Sequence, residues 1–122
     1  MKILGISGSP RKNGNTEILV EHALKPFQEA GWEIQRFFMS EKTINPCVAC
    51  ESCHNTGSCV IMGDDGASLL EAYLQCDAVI IGSPAYYRNV TAQLKALFDR
   101  SYSFGRRKPL VGKPGGAIAV GR

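Results

Sequence analysis

The feature that most limits how this chain can fold is a pair of short apolar runs, Ile3 to Ile6 and "DAVIIGS" from Asp77 to Ser83. Each is too short for a buried helix, shows no polar alternation and is flanked by Gly, Ser or Asp. Such runs suit strands covered on both faces, which occur in parallel sheets flanked by helices. The segments between them read accordingly. Leu19, Val20, Ala23, Leu24 and Phe27 form one helical stripe behind a candidate cap, Thr16, and Pro26 predicts a kink or an early end. "WEIQRFF", Trp32 to Phe38, alternates imperfectly, as a strand near a sheet edge would. Asp64-Asp65 opens a second helix with Leu69, Leu70, Tyr73 and Leu74 facing inward. Leu94, Leu97 and Phe98 mark a third from Thr91 to Ser101, and Gly116 to Val120 is a fourth strand. The order βαβαβαβ implies an α/β fold with right-handed crossovers.

At 122 residues the chain is expected to be one domain, residues 1–122. Apolar residues at 44% and charged residues at 20% exclude a disordered class. The formal charge is +3, and the one dense basic run, Arg106-Arg107-Lys108, reads as a solvated loop rather than a nucleic-acid patch. No stretch of about 20 apolar residues is present to span a bilayer, and the opening run is too short for a signal peptide. The expected location is cytoplasmic, where clustered cysteines more often bind metal or do redox work than form lasting disulfides.

The first strand runs into "SGSPRKNGNT", Ser7 to Thr16, a loop of turn formers and polar groups ahead of a helix. A helix N-terminus offers free N–H groups and the positive end of a dipole to an anion. Ser7, Ser9 and Thr16 add hydroxyls, Asn13 and Asn15 amides, and Arg11 a charge, which suits a terminal phosphate monoester. The spacing matches neither GxxxxGK[ST] nor GxGxxG. In the flavodoxin-like strand order 2-1-3-4-5, ligands bind beyond the carboxyl ends of strands 1 and 3. The loop after the third strand, "SPAYYRNV", offers Pro84, Tyr86 and Tyr87 as flat surfaces, with Arg88 and Asn89 able to reach polar edge atoms. A phosphate site beside an aromatic wall points to flavin mononucleotide, FMN.

Four of the five cysteines lie in "PCVACESCHNTGSC". Cys47, Cys50 and Cys53 follow C-x2-C-x2-C, with Cys59 after a gap of five. Structural zinc sites usually pair their ligands across a long spacer, absent here. The run of three at intervals of three favours an iron-sulfur cluster, as in bacterial ferredoxins, over zinc, disulfides or free redox thiols, which stay open on spacing alone. His54 reads as exposed or as a neighbour of the ligands, Pro46 as fixing the loop's start, and Gly57 as the turn that returns Cys59. Cys76 reads as a small buried hydrophobe. The cysteine loop leaves strand 2 at the same end of the sheet as the flavin loops, and strands 2 and 3 lie only about 10 Å apart across strand 1.

"KILGISGSPRKNGNT", "PCVACESCHNTGSCVIMGDDG" and "DAVIIGSPAYYRNVTAQLKALFDR" together resemble the iron-sulfur flavoproteins of the NADPH-dependent FMN reductase family, over essentially the whole chain. The resemblance implies a flavodoxin-like three-layer fold with strand order 2-1-3-4. It implies FMN on Ser7, Ser9, Arg11, Asn13, Asn15 and Thr16, with Pro84, Tyr86, Tyr87 and Asn89 near the isoalloxazine. It also implies a 4Fe-4S cluster on Cys47, Cys50, Cys53 and Cys59, a ferredoxin-type electron donor and a homo-oligomer, a dimer or tetramer. Family members continue past the fourth strand to a fifth, so this chain is expected to be truncated at its C-terminus, to hold flavin weakly and to associate through strand 4. The functional expectation is an electron-transfer oxidoreductase with no conventional catalytic acid, base or nucleophile. The alternatives are an NAD(P)H-dependent FMN or quinone reductase without a functional cluster, and a cysteine-based metal or redox sensor.

Overall fold

A computed structural model describes residues 1–107 and 109–121. Its strands are β1 (Lys2–Ser7), β2 (Glu33–Phe38), β3 (Ala78–Pro84) and β4 (Gly115–Val120). Its helices are α1 (Asn15–Glu29), the single turn α2 (Cys53–Thr56), α3 (Gly66–Gln75) and α4 (Ala92–Arg100), with 3-10 segments at Met39–Glu41 and Ser101–Arg107. The expected basic run lies outside the described residues apart from the backbone of Arg106 and Arg107.

The four strands form one parallel sheet in the order β2-β1-β3-β4. Strand periodicity divides β1 and β3 between two cores. Ile3, Ala78 and Ile80 pack with Val20 and Leu24 of α1. Leu4, Ile6 and Val79 pack with Leu69 and Leu70 of α3 and Leu94 and Leu97 of α4. Each fully buried aliphatic side chain among these stabilises the fold by about 1.5–3 kcal/mol. Glycine sets how closely α1 lies on the sheet: a Cβ at Gly5 would stand 2.5 Å from a Leu24 methyl, and one at Gly82 would stand 2.6 Å from Val20. In this register Ser7 lies opposite both Phe38 and Gly82, so β1, β2 and β3 deliver their following loops to one end of the sheet.

The structure corrects the local reading at several points. Gly14, with no side-chain bond, is the N-cap of α1, and Thr16 is a buried residue of its first turn. Pro26 does not end α1, which continues to Glu29. The lost backbone bond falls in the exposed last turn, where little of the helix remains to be disrupted. Leu19 and Leu74 turn outward, at 44% and 38% exposure, and Ala72 takes the inward place expected of Leu74. On β4, Gly115, Gly116, Ala117 and Ala119 are exposed, and among the described residues the strand pairs only with β3.

Candidate functional site

The first loop is built from the bottom by buried hydroxyls. Ser7 and Ser9 are buried; the Ser7 hydroxyl accepts from Ser9 N at 3.4 Å, and the Ser9 hydroxyl accepts from Arg11 N at 3.1 Å. These groups, read as donors to a phosphate, also brace the loop's own backbone. Arg11, Asn13 and Asn15 stand exposed above them. Asn13 takes the left-handed conformation, φ 55°, which asparagine tolerates better than most residues. Its N–H donates to Glu17 Oε2 at 2.6 Å, and Ser40 donates its hydroxyl to the other oxygen of that carboxylate. Glu17 is 4% exposed, so a buried acid in the first turn of α1 fixes the strained corner of the loop.

The two loops are fastened to each other. Gly8 N donates to Gly82 O at 2.7 Å, and the hydroxyl of Thr91 donates to Gly8 O at 2.6 Å while accepting from Leu94 N at 3.2 Å. Thr91 is thus both the N-cap of α4 and the pin between the loops, with 0% exposure. A Cβ at Gly8 would stand 3.0 Å from Leu94 and 3.2 Å from Gly82 O, so any larger residue would press the first loop and α4 apart by a few tenths of an ångström.

Beyond β3, Tyr86 and Asn89 exchange backbone hydrogen bonds at 2.9 and 3.1 Å around Tyr87 and Arg88, whose φ angles are 47° and 64°. Two successive non-glycine residues at positive φ resemble a type I′ turn without its usual glycine, each storing of order 1–2 kcal/mol. The turn projects Tyr87 fully into solvent, while Tyr86 is 42% exposed. A groove of about 750 Å³ opens beside it, lined by Ser83, Pro84, Arg88 and Asn89 together with Phe98 and Ile118. It therefore takes in three of the residues expected near the ring but none of the expected phosphate-loop residues.

The cysteine loop is clamped at its base. Asp65 accepts from Thr43 N at 2.9 Å and from Lys42 Nζ at 3.2 Å, and Asp64 accepts from Asn45 N at 2.7 Å and Gly66 N at 2.9 Å. Ala49 and Glu51 both have positive φ, 53° and 57°, and carry the chain around the first two cysteines. Ala49 N donates to Cys47 Sγ at 3.4 Å. The backbone N–H and hydroxyl of Ser52 hold the Cys50 thiol below its usual pKa, favouring thiolate. Cys53 begins α2, and Gly57, at φ 71°, ends it and turns the chain toward Cys59, as expected. Cys47 and Cys50 are exposed, whereas Cys53 and Cys59 are partly buried, Cys59 against the α3/α4 core. Among the described residues no three His, Cys, Asp or Glu side chains are grouped to hold a single ion. Exposed His54 meets Tyr102 OH at 3.0 Å, and Cys76 is buried at 3% exposure.

A residue the sequence reading passed over joins this loop to α4. Arg100 is 1% exposed and donates to Asp64 Oδ2 at 2.5 Å and to Ile61 O at 3.0 Å. Neither partner's side chain in this ion pair is exposed. Burial alone would lower the Arg100 pKa, but the Cys59 sulfur and Asp64 carboxylate beside it outweigh that and raise it. Burial would likewise raise Asp64, but the N–H groups of Asn45 and Gly66, with Arg100, hold it below its ordinary value. The two loops start from one end of the sheet, yet they are anchored at opposite ends of α4, at Thr91 and Arg100. At 1.5 Å per residue, these anchors are about 13 Å apart.

The first loop's donors suit an anion, whereas the four cysteine side chains are not drawn together among the described residues. The first turn of α1 has no side-chain cap, which leaves its N–H groups to an anion. In the cysteine loop the Ala49 N–H is directed at the Cys47 sulfur, and the surroundings of Cys50 hold its thiol below the usual pKa. Among the described residues no helix is long and apolar enough to cross a membrane.

The family model described as NADPH-dependent FMN reductase matches residues 1–122. An iron-sulfur flavoprotein of Methanocaldococcus jannaschii is 45% identical over 121 residues, covering 99% of this chain and 62% of its own. One from Archaeoglobus fulgidus is 45% identical over 98% of this chain and 54% of its own length, and one from Methanosarcina thermophila is 43% identical over 99% and 63%. The chain thus spans less than two thirds of the length of each of these relatives. Among solved structures, a flavone reductase superposes with a TM-score of 0.72 at 21% identity, over 99% of this chain and 43% of its own. The azoreductase AzrA superposes at 0.75 with 14% identity, over 99% and 69%. These likenesses show the flavodoxin-like fold. With the family model spanning every residue, the chain belongs to the NADPH-dependent FMN reductase family.

Proposed function

We propose that this chain serves an electron-transfer oxidoreductase that holds FMN and a 4Fe-4S cluster and passes electrons between a ferredoxin-type donor and an acceptor. The observation that carries the reading is the four-cysteine loop, with the Ala49 N–H directed at the Cys47 sulfur, in a chain 43–45% identical to proteins named iron-sulfur flavoproteins. Cys47, Cys50, Cys53 and Cys59 would hold the cluster. The first-turn N–H groups of α1, with Ser7, Ser9, Arg11, Asn13, Asn15 and Thr16, would hold the flavin phosphate. Pro84, Tyr86, Tyr87, Arg88 and Asn89 would border the ring. When bound, the groups would supply one-electron exchange at the cluster and one- or two-electron exchange at the flavin. This chain's residues bind, orient and set potentials through hydrogen bonds to sulfur and the charge nearby. Iron, acid-labile sulfide and FMN measured per chain after anaerobic purification test the reading: about four, four and one support it.

The family description favours a second reading, direct reduction of the flavin by NADPH. Stoichiometric FMN with zinc or no metal, and flavin reduced by NADPH without ferredoxin, would support that reading against the first.

A further inference from the structure

An acid in the first turn of a helix is drawn to the positive end of the dipole, where it competes with any bound anion. Glu17 is turned away from that role. It is the third residue of α1 after the cap, Gly14, the position whose carboxylate reaches back to the cap's own N–H in a capping box. Here Gly14 N donates to Arg11 O at 3.4 Å instead, and Glu17 reaches one residue further out, to Asn13 N at 2.6 Å. Its other oxygen accepts the hydroxyl of Ser40, 23 positions away in the 3-10 segment that follows β2. Both oxygens therefore serve groups outside the helix, and no side chain caps the first turn. The corner they hold is a costly one: Asn13 stands at φ 55° with its side chain exposed. The neighbouring cation, Lys12, is committed elsewhere, with its amino group 2.5 Å from Glu41.

We propose that Glu17 is a positioning residue for the terminal phosphate of the flavin: by holding the Asn13 N–H and the Ser40 hydroxyl it sets the Asn13-Gly14 corner, so that the Asn13 amide and the uncapped first turn of α1 serve one anion together. The assignment rests on the reading of the first loop as the FMN phosphate site. Glu17 acts here through geometry and against charge. A carboxylate close to a phosphate repels it, so the acid helps only through what its two oxygens hold in place. Glutamine can do the same in one orientation. Its amide oxygen accepts from Asn13 N–H, and its NH2 donates to the Ser40 oxygen, because a hydroxyl accepts as well as donates. Alanine cannot: it leaves the Asn13 N–H and the Ser40 hydroxyl without their acceptor, and nothing then holds Asn13 at positive φ.

The test compares two ligands that differ only by the phosphate. FMN and riboflavin are each titrated into the full chain and followed by flavin fluorescence, with the melting temperature of every variant measured beside them. Glu17→Ala should weaken FMN about tenfold while riboflavin stays within about twofold of its wild-type affinity. Glu17→Gln, which keeps both hydrogen bonds and removes the charge, should bind FMN at least as tightly as the wild type. Where Glu17→Ala does not fold, Ser40→Ala carries the comparison: it removes one of the two bonds, frees the carboxylate to turn, and should weaken FMN about threefold with riboflavin unchanged. Equal losses of FMN and riboflavin in a folded variant overturn the proposal, since Glu17 would then only hold the fold. Wild-type FMN affinity in Glu17→Ala, or in Ser40→Ala where it carries the comparison, overturns it too, as does a loss in Glu17→Gln as large as that in Glu17→Ala. A wild type that does not prefer FMN to riboflavin removes the phosphate reading of the first loop and this proposal together.

Discussion

At the scale of single residues, the site is governed by a few buried polar atoms that each close a long-range bond. Thr91 is one. Thr91→Val removes the bond to Gly8 O and the cap on Leu94 N together. It should cost about 1–3 kcal/mol in urea denaturation and weaken FMN in a fluorescence titration, whereas Thr91→Ser should restore both. Gly66 is another. Gly66→Ala drives a methyl into the guanidinium of Arg100, so the pair must part, and the loss should approach about 3 kcal/mol in the same assay. A change below about 0.5 kcal/mol, the usual range for surface substitutions, would show that the guanidinium can move aside.

At the scale of elements, α3 and α4 hold the cysteine loop through charges as well as apolar stripes. Asp64 and Asp65, which open α3, both have carboxyls held below their ordinary value of 3.8. A carboxyl with a lower folded than unfolded pKa contributes stability that is fully present above 3.8 and is lost as pH falls through its folded value. Melting temperatures should therefore drop steeply between about pH 4 and pH 2, and the Asp64→Asn with Arg100→Gln variant should show a shallower drop. The elements themselves were legible in the sequence: all four strands and the three longer helices follow from apolar runs and stripes, whereas the strand order was implied by the family resemblance. Their fastenings were not. Thr91 to Gly8 and Arg100 to Asp64 join residues 83 and 36 positions apart, and no local pattern reports such a pair. One trace was readable: Leu94, Leu97 and Arg100 recur every three residues, which sets a charge on the stripe that faces the core. The α2 turn lay hidden because the cysteine spacing describes ligands rather than backbone.

At the scale of the molecule, α4 is the bar between two loops, pinned to the first loop at Thr91 and to the end of the cysteine loop at Arg100. Among the described residues β4 is the edge of the sheet, paired with β3 on one side, and Gly115, Gly116, Ala117 and Ala119 on it are exposed. Sedimentation velocity at rising concentration should show self-association of this chain; a clean monomer carrying tight, stoichiometric FMN would contradict that expectation. We propose that the four thiols serve an electron-transfer centre apart from the flavin site rather than a staple for the fold. Cys50→Ser tests it most directly, because Cys50 is exposed and its loss removes no core packing. After anaerobic purification, iron and sulfide per chain should fall far below the wild type, while FMN content and melting temperature stay close to it. Full iron retention, or collapse of the fold with loss of FMN, would contradict the claim.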